Sequence, residues 1–444
     1  MDQDGFTAND KHILRELAKK NLEYANSQKN LETIRLWYKH NACQGERPMV
    51  HIELNTFWDE VVPKRLECQS EAARWLEKEL YNDMVNFELF GDDRPVLDYF
   101  PVRIRAGFLP FGIQPEATYA NEGLGYHVEP VIRDLEQDFH LLGESQMPTG
   151  PYFDTKLKDM ASETFGDILP PKLVLGSVYS CPCSAILALM GMETMFMSMY
   201  DYPELFHKMM SQYTNDTLRL FDHMEKEGLI LPTVGGENLT MGSFCYTNEL
   251  PGAISDLNGL GRAEKCPASG TFSAIDKSDL NRNCSKTAGT VADIWGHMNC
   301  QEAAGLSQDM FAEFIFPYYK KISDRFGMLS YGCCEAVHPQ WDSLKTLENL
   351  RKLSISPWCD EEFMGDELRG TKIIYHRKPA PHYIGVGTAL DEDAVRADIR
   401  RTIKAARGCT LEITQRDVYS INHDEEKVRR YVEIIHEECS RHES

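Results

Sequence analysis

The sequence has no apolar run approaching the ~20 residues that cross a bilayer as a helix, so no membrane span is expected. Its first twenty residues, Met1 to Lys20, lack both the basic start and the apolar middle of a secretory leader, which reads as a cytoplasmic protein. Positive charge is scarce. The 47 Lys and Arg face 69 Asp and Glu, a net charge of −22. The plain reading is a solvated acidic surface. That balance argues against nucleic acid as a partner, because phosphate contacts need clustered Lys and Arg. It also disfavours a heavily carboxylated substrate unless a local Arg cluster overrides the global field. No glycine-rich GxGxxG follows the first strand, and there is no P-loop, no GxSxG and no short-period repeat. The thirteen cysteines are odd in number and scattered, without paired CxxC motifs. A disulfide framework or a zinc knot is therefore not expected, and most of these thiols read as small buried hydrophobes.

The pattern that is present divides at about residue 95. Residues 8–42 and 64–90 show helical spacing, with Leu14, Leu17, Ala18, Leu22 and Ala25 on one face. Residues 50–54 alternate as a short strand. Residues 1–95 are thus expected as a mainly helical extension on a domain covering 96–444. In that domain short apolar runs (100–104, 172–176, 229–234, 328–331, 352–355, 372–375 and 409–413) alternate with helical stretches (202–226, 307–326, 342–350, 391–406 and 424–439). Strand–helix alternation over this length predicts an α/β fold with a parallel sheet. A closed (β/α)8 TIM barrel fits best, and a doubly wound open sheet is the alternative. Residues 252–292, rich in Gly, Ser, Asp, Asn and Lys, read as a long loop insertion.

In a parallel barrel the reactive groups sit at strand C-termini and the loops that follow. Tyr331-Gly332-Cys333-Cys334-Glu335 follows one such strand. Alternation puts Tyr331, Cys333 and Glu335 on one face, with Cys334 on the other and His338 just beyond. A thiolate with a carboxylate and an imidazole suits zinc. The plainer reading is a buried Cys pair ahead of a helix-starting Glu. Cys409 and Glu412 on the last strand are further possible ligands, or simply buried strand residues. Glu237 and Asn238, after Gly235-Gly236, are candidates for acid–base work and substrate contact, or a turn. Gln301 and Glu302 face either substrate or solvent. Trp358 can wall a pocket and Lys378 can fix an anion, each at a strand end, with proline-rich turns as the alternative. Cys181-Pro182-Cys183 reads as structural, because the proline stiffens so short a bridge.

The stretch Ser330 to Glu335, with Asn349-Leu350-Arg351, Ser354 to Trp358, Lys378-Pro379 and Gly408 to Glu412, resembles the uroporphyrinogen decarboxylase superfamily, in particular its anaerobic bacterial branch related to corrinoid-dependent methyltransferases. Trp295 to Phe326 resembles that branch too. The resemblance spans roughly 95–440 and is strongest in the C-terminal half. It implies a TIM barrel, often dimeric, and methyl transfer between a small O-methyl or thiol compound and a corrinoid protein. It also implies zinc at the barrel mouth. Thiol-acting members hold zinc with a His-x-Cys motif and a later Cys. Here Tyr331 replaces the His, Cys333 keeps its place, Cys409 matches the later Cys, and Glu335, Glu237 or His338 would complete the set. The decarboxylases' N-terminal Arg-rich motif has no match. Arg103 and Arg105 lie nearby in different surroundings. The alternative function is a decarboxylase or another lyase on the same barrel acting on a small carboxylated compound.

Overall fold

The structure, a computed structural model, describes residues 6–119, 126–252 and 289–442. Most of the expected 252–292 loop lies outside these residues. Thirteen strands are formed among them. These are β1 (Met49–Ile52), β2 (Phe100–Arg103), β3 (Ala117–Tyr119), β4 (Tyr126–Val128), β5 (Pro171–Val174), β6 (Val178–Tyr179), β7 (Asn238–Leu239), β8 (Ser243–Phe244), β9 (Trp295–Met298), β10 (Met328–Tyr331), β11 (Leu350–Ile355), β12 (Ile374–Arg377) and β13 (Leu411–Gln415).

Seven of them build one sheet in the order β1-β13-β12-β11-β10-β9-β6. Every pair in it is parallel. β5 lies just ahead of β6 in the chain and pairs in parallel with β2. No pairing joins β1 to β2 among the described residues, so the expected closed ring is not completed by backbone hydrogen bonds. An antiparallel hairpin, β7–β8, instead packs against the inner face of the sheet. Its Gly242 carbonyl accepts from Thr414, and its Ser243 hydroxyl accepts from Lys352. The 229–234 run, expected as a strand, is irregular and leads into this hairpin.

β1 lies within the 1–95 segment yet pairs with β13 from Met49↔Glu412 to Ile52↔Gln415. A boundary at residue 95 therefore cuts this sheet. The sequence could not show it, because the partner strand is more than 350 residues away. The central strands are short and almost wholly buried, although β11, β12 and β13 each carry polar residues among the apolar ones. The helices follow their local signals. Ala8–Ala25 begins in a capping box between Thr7 and Asp10. Ser307 caps Gln308–Phe314 as expected, but the 307–326 helix is broken. Pro317 has no N–H to donate, and a second helix runs Phe316–Ser323.

One helix, Pro182–Asp201, is long and apolar enough by length and composition to cross a membrane, which corrects the expectation that no stretch is. Gly191, at φ 72 and ψ 168, interrupts it midway. Each half is about half the ~20 residues a span requires.

Candidate functional site

The inner face of the sheet is polar. Period-two alternation turns Leu353, Ile355, Tyr375 and Ile413 one way and Lys352, Ser354, His376, Glu412 and Thr414 the other. All of these inward groups are buried. The Glu412 carboxylate receives Lys352 Nζ at 2.7 Å and His40 Nε2 at 3.1 Å, and His376 Nε2 lies 3.2 Å away. Burial opposes its charge, but His376, Lys352 and His40 hold the carboxyl well below the ordinary range. Glu412 is therefore the anchor of a buried ionic layer.

His376 links that layer to the C-terminal edge of the sheet. Its Nε2 is 2.8 Å from Thr414 Oγ1 and 2.7 Å from Lys378 Nζ. Lys378, two residues beyond His376 and only 3% exposed, also donates to the Met241 carbonyl. Burial, and then the Arg416 charge, bring the Lys378 ammonium down to about 7. Met241 is presented by the tip of the β7–β8 hairpin with φ 72, a conformation that non-glycine residues seldom adopt. Its sulfur accepts from Arg416. Such an outlier, held between two cations, is the kind of strain found at functional positions.

Cys333 completes this edge. Gly332 ends β10 at φ 95, where a Cβ would also sit 3.1 Å from Ser354 Cβ, so glycine is required. The Cys333 sulfur lies 3.4 Å from Cys334 Sγ and 3.6 Å from the Arg416 guanidinium. Hydrogen bonding from the Cys334 thiol, helped by Arg416 and opposed by burial, holds the Cys333 thiol below its usual value. Arg416 itself pairs with Glu53, 3.3 Å away at the end of β1, and with Asp417. His297 of β9 is fully buried, and neither ring nitrogen has a hydrogen-bond partner. Burial, with Lys378 and Arg416, depresses it to about 3, so the imidazole is neutral. It stacks on the half-exposed ring of Tyr179, whose hydroxyl donates to Asn299 Oδ1 at 2.8 Å.

The other residues expected at the site fall elsewhere. Tyr331 is still in β10, opposite Leu353, and so turns into the core away from the inner face, and Gly332 ends the alternation before Cys333 and Glu335. Glu335 folds back, one carboxylate oxygen accepting from the Cys300 amide at 2.9 Å and the other from the Cys333 amide at 2.8 Å. It ties together the loops that follow β9 and β10. Burial raises its carboxyl. Cys409 precedes β13, whereas Cys333 follows β10. In a parallel sheet these are opposite ends of the strands. The Cys409 sulfur donates to the Gly365 carbonyl at 3.4 Å, and burial raises it to about 11. His338 Nδ1 is taken by the Asp360 amide at 3.2 Å. The expected zinc set of Cys333, Cys409, Glu335 and His338 therefore does not assemble, and no group of three or more His, Cys, Asp or Glu among the described residues is placed to hold a metal ion. Gln301 is exposed, and Trp358 is 74% exposed in the loop after β11.

Glu237 and Asn238 line a different recess of about 260 Å³, together with Asn55, Asp83, Arg94 and Arg103. The Glu237 carboxylate accepts from the Gly235 amide at 2.7 Å, and burial raises its carboxyl. Cys181 is structural, its thiol donating to the Asn299 carbonyl at 3.0 Å.

Of the expected residues, Lys378 and Cys333 share the edge, and four unexpected ones join them. Arg416 is not marked as a strand-end residue by the sequence, because the last strand runs to Gln415 instead of ending at 413. His297 lies between Trp295 and Asn299, a stretch that reads as the approach to a helix and is in fact β9. Tyr179 and Met241 occupy a two-residue strand and a hairpin tip, which leave no periodic signal.

No family model matches this sequence, and no curated protein matches it. Among solved structures, a methyltransferase from Methanosarcina mazei is 12% identical, with a TM-score of 0.45 over 92% of this chain and 98% of that one.

Proposed function

We propose that this chain is a methyltransferase whose strands complete an eight-stranded α/β barrel, and that it moves a methyl group between a small O-methyl or thiol compound and a corrinoid protein at the Lys378–Arg416–Cys333 edge. The observation that carries this reading is Lys378, a buried amine brought to about 7 beside a second cation. An ammonium near neutrality gives up a proton readily, and a general acid matched to the working pH is what a departing oxyanion needs. With an O-methyl donor, the methyl carbon–oxygen bond breaks with its electron pair passing to oxygen. Lys378 protonates that oxygen, and Arg416 offsets the charge while it develops. His376 and the Glu412 layer behind it hold the amine in place. The acceptor proposed is the reduced corrinoid of a partner protein, which supplies the nucleophile for the methyl group when it is bound. No step runs through zinc, because the expected ligands do not converge.

A second reading rests on the same two cations, which also suit a substrate carboxylate, as a decarboxylase or lyase requires. One assay separates the two. The protein is incubated anaerobically with cob(I)alamin and a panel of aryl and alkyl methyl ethers, thioethers and small carboxylates. Methylcobalamin formed with stoichiometric demethylated product supports methyl transfer. Carbon dioxide release without methylcobalamin overturns it in favour of the lyase.

A further inference from the structure

We propose that Cys333 and Cys334 form a reversible oxidation site that closes to a vicinal disulfide by exchange with a small-molecule disulfide. The two sulfurs are 3.4 Å apart, close enough to react after a small side-chain rotation. Both residues lie in the bend after β10 and outside its ladder, so strand pairing does not fix the peptide between them. Their surroundings differ in a way that sets the order of events. Cys334 is exposed, with its sulfur 3.6 Å from the Asp417 carboxylate, whereas Cys333 is buried beside the Arg416 cation. An incoming disulfide thus meets Cys334 first, which reacts as the thiolate left when its proton passes to the facing Cys333 sulfur, and Cys333 is the resolving sulfur.

The exchange balances. The Cys334 sulfur attacks the small disulfide, whose S–S bond breaks. One small thiol leaves with one of the two thiol protons. The Cys333 sulfur then attacks Cys334, the mixed disulfide breaks, and the second small thiol leaves with the remaining proton. Two protein thiols are oxidised and one small disulfide is reduced to two thiols. Selectivity follows from access. Cys183 and Cys300 also share a hydrogen bond, but both are buried. The consequence for catalysis rests on the proposed function. Closure takes the Cys333 sulfur facing Arg416 into a disulfide and alters the edge that carries Lys378.

The test treats the full chain with oxidised glutathione under anaerobic conditions. The protein is then quenched with acid, its free thiols are alkylated, and the peptide spanning Cys333 and Cys334 is weighed, with turnover followed in parallel. The expected peptide lacks two hydrogens, resists alkylation and regains both thiols with dithiothreitol, while turnover falls at least tenfold and recovers. In Cys334→Ser the two-hydrogen loss is absent. A wild-type peptide that keeps two alkylatable thiols, or stops at a stable glutathione adduct, overturns the inference. Closure with unchanged turnover leaves the oxidation standing and overturns the assignment of this edge as the reacting site.

Discussion

Arg416, the first residue beyond β13, points its guanidinium at the sulfur of Cys333, the second residue beyond β10, across 3.6 Å. Two loops from strands that are not neighbours in the sheet are thereby joined by one charge-assisted contact at the C-terminal edge. Replacing Arg416 with Met should raise the pH midpoint of Cys333 alkylation, since the facing cation favours the thiolate. Alkylation rates followed by peptide mass spectrometry across pH give the midpoint. An unmoved midpoint would mean that Arg416 does not stabilise this thiolate.

Lys378 should govern the alkaline side of the activity profile. Its protonated form is the acid, and it titrates at about 7, so kcat/KM is expected to decline as pH rises through that value. Lys378→Met should lower the rate by about 10²–10⁴-fold, the usual contribution of a positioned general acid, and flatten the decline. His297, neutral from about 3 upwards, adds no limb across the neutral range. An alkaline limb that persists unchanged in Lys378→Met would assign the proton to another group.

The Glu412–Lys352 pair should matter more for folding than for chemistry. Both side chains are fully buried, so Glu412→Ala strands an uncompensated lysine at a cost of about 3–5 kcal/mol. Urea unfolding monitored by circular dichroism measures it. A loss below about 1 kcal/mol would show that the layer relaxes or admits water.

Cys409 and Cys333 should separate cleanly. Cys409→Ala removes one weak sulfur hydrogen bond beneath the sheet and should cost no more than about 1 kcal/mol, with turnover unaffected. Cys333→Ala should impair turnover. Equal loss in both variants, with metal released from both, would restore the shared zinc site that the two sulfurs' positions argue against.

Strand–helix alternation, the acidic surface and most of the long helices could be read from the sequence, because each has a local cause in spacing or capping. Residues Lys378 and Cys333 could be read as strand-end groups for the same reason. Two kinds of feature could not. Pairing between β1 and β13 is non-local, so a strand that closes the far edge of the sheet looked like part of a helical extension. Short or irregular segments carry no period, which hid Met241 and Tyr179 and turned the 229–234 run into an expected strand. Glu335 shows a further limit. Its spacing from Cys333 fits a shared face only if the strand continues, and Gly332 ends it.

The location of the reacting edge is the central claim, and one comparison tests it most directly. Demethylation rates with cob(I)alamin as acceptor are measured for wild type, Lys378→Met and Glu237→Gln, each verified as folded. The expected result is a loss of at least a hundredfold in Lys378→Met and a change of less than about threefold in Glu237→Gln. Retained activity in Lys378→Met with activity lost in Glu237→Gln would contradict the account and move the chemistry to the recess lined by Glu237 and Asn238.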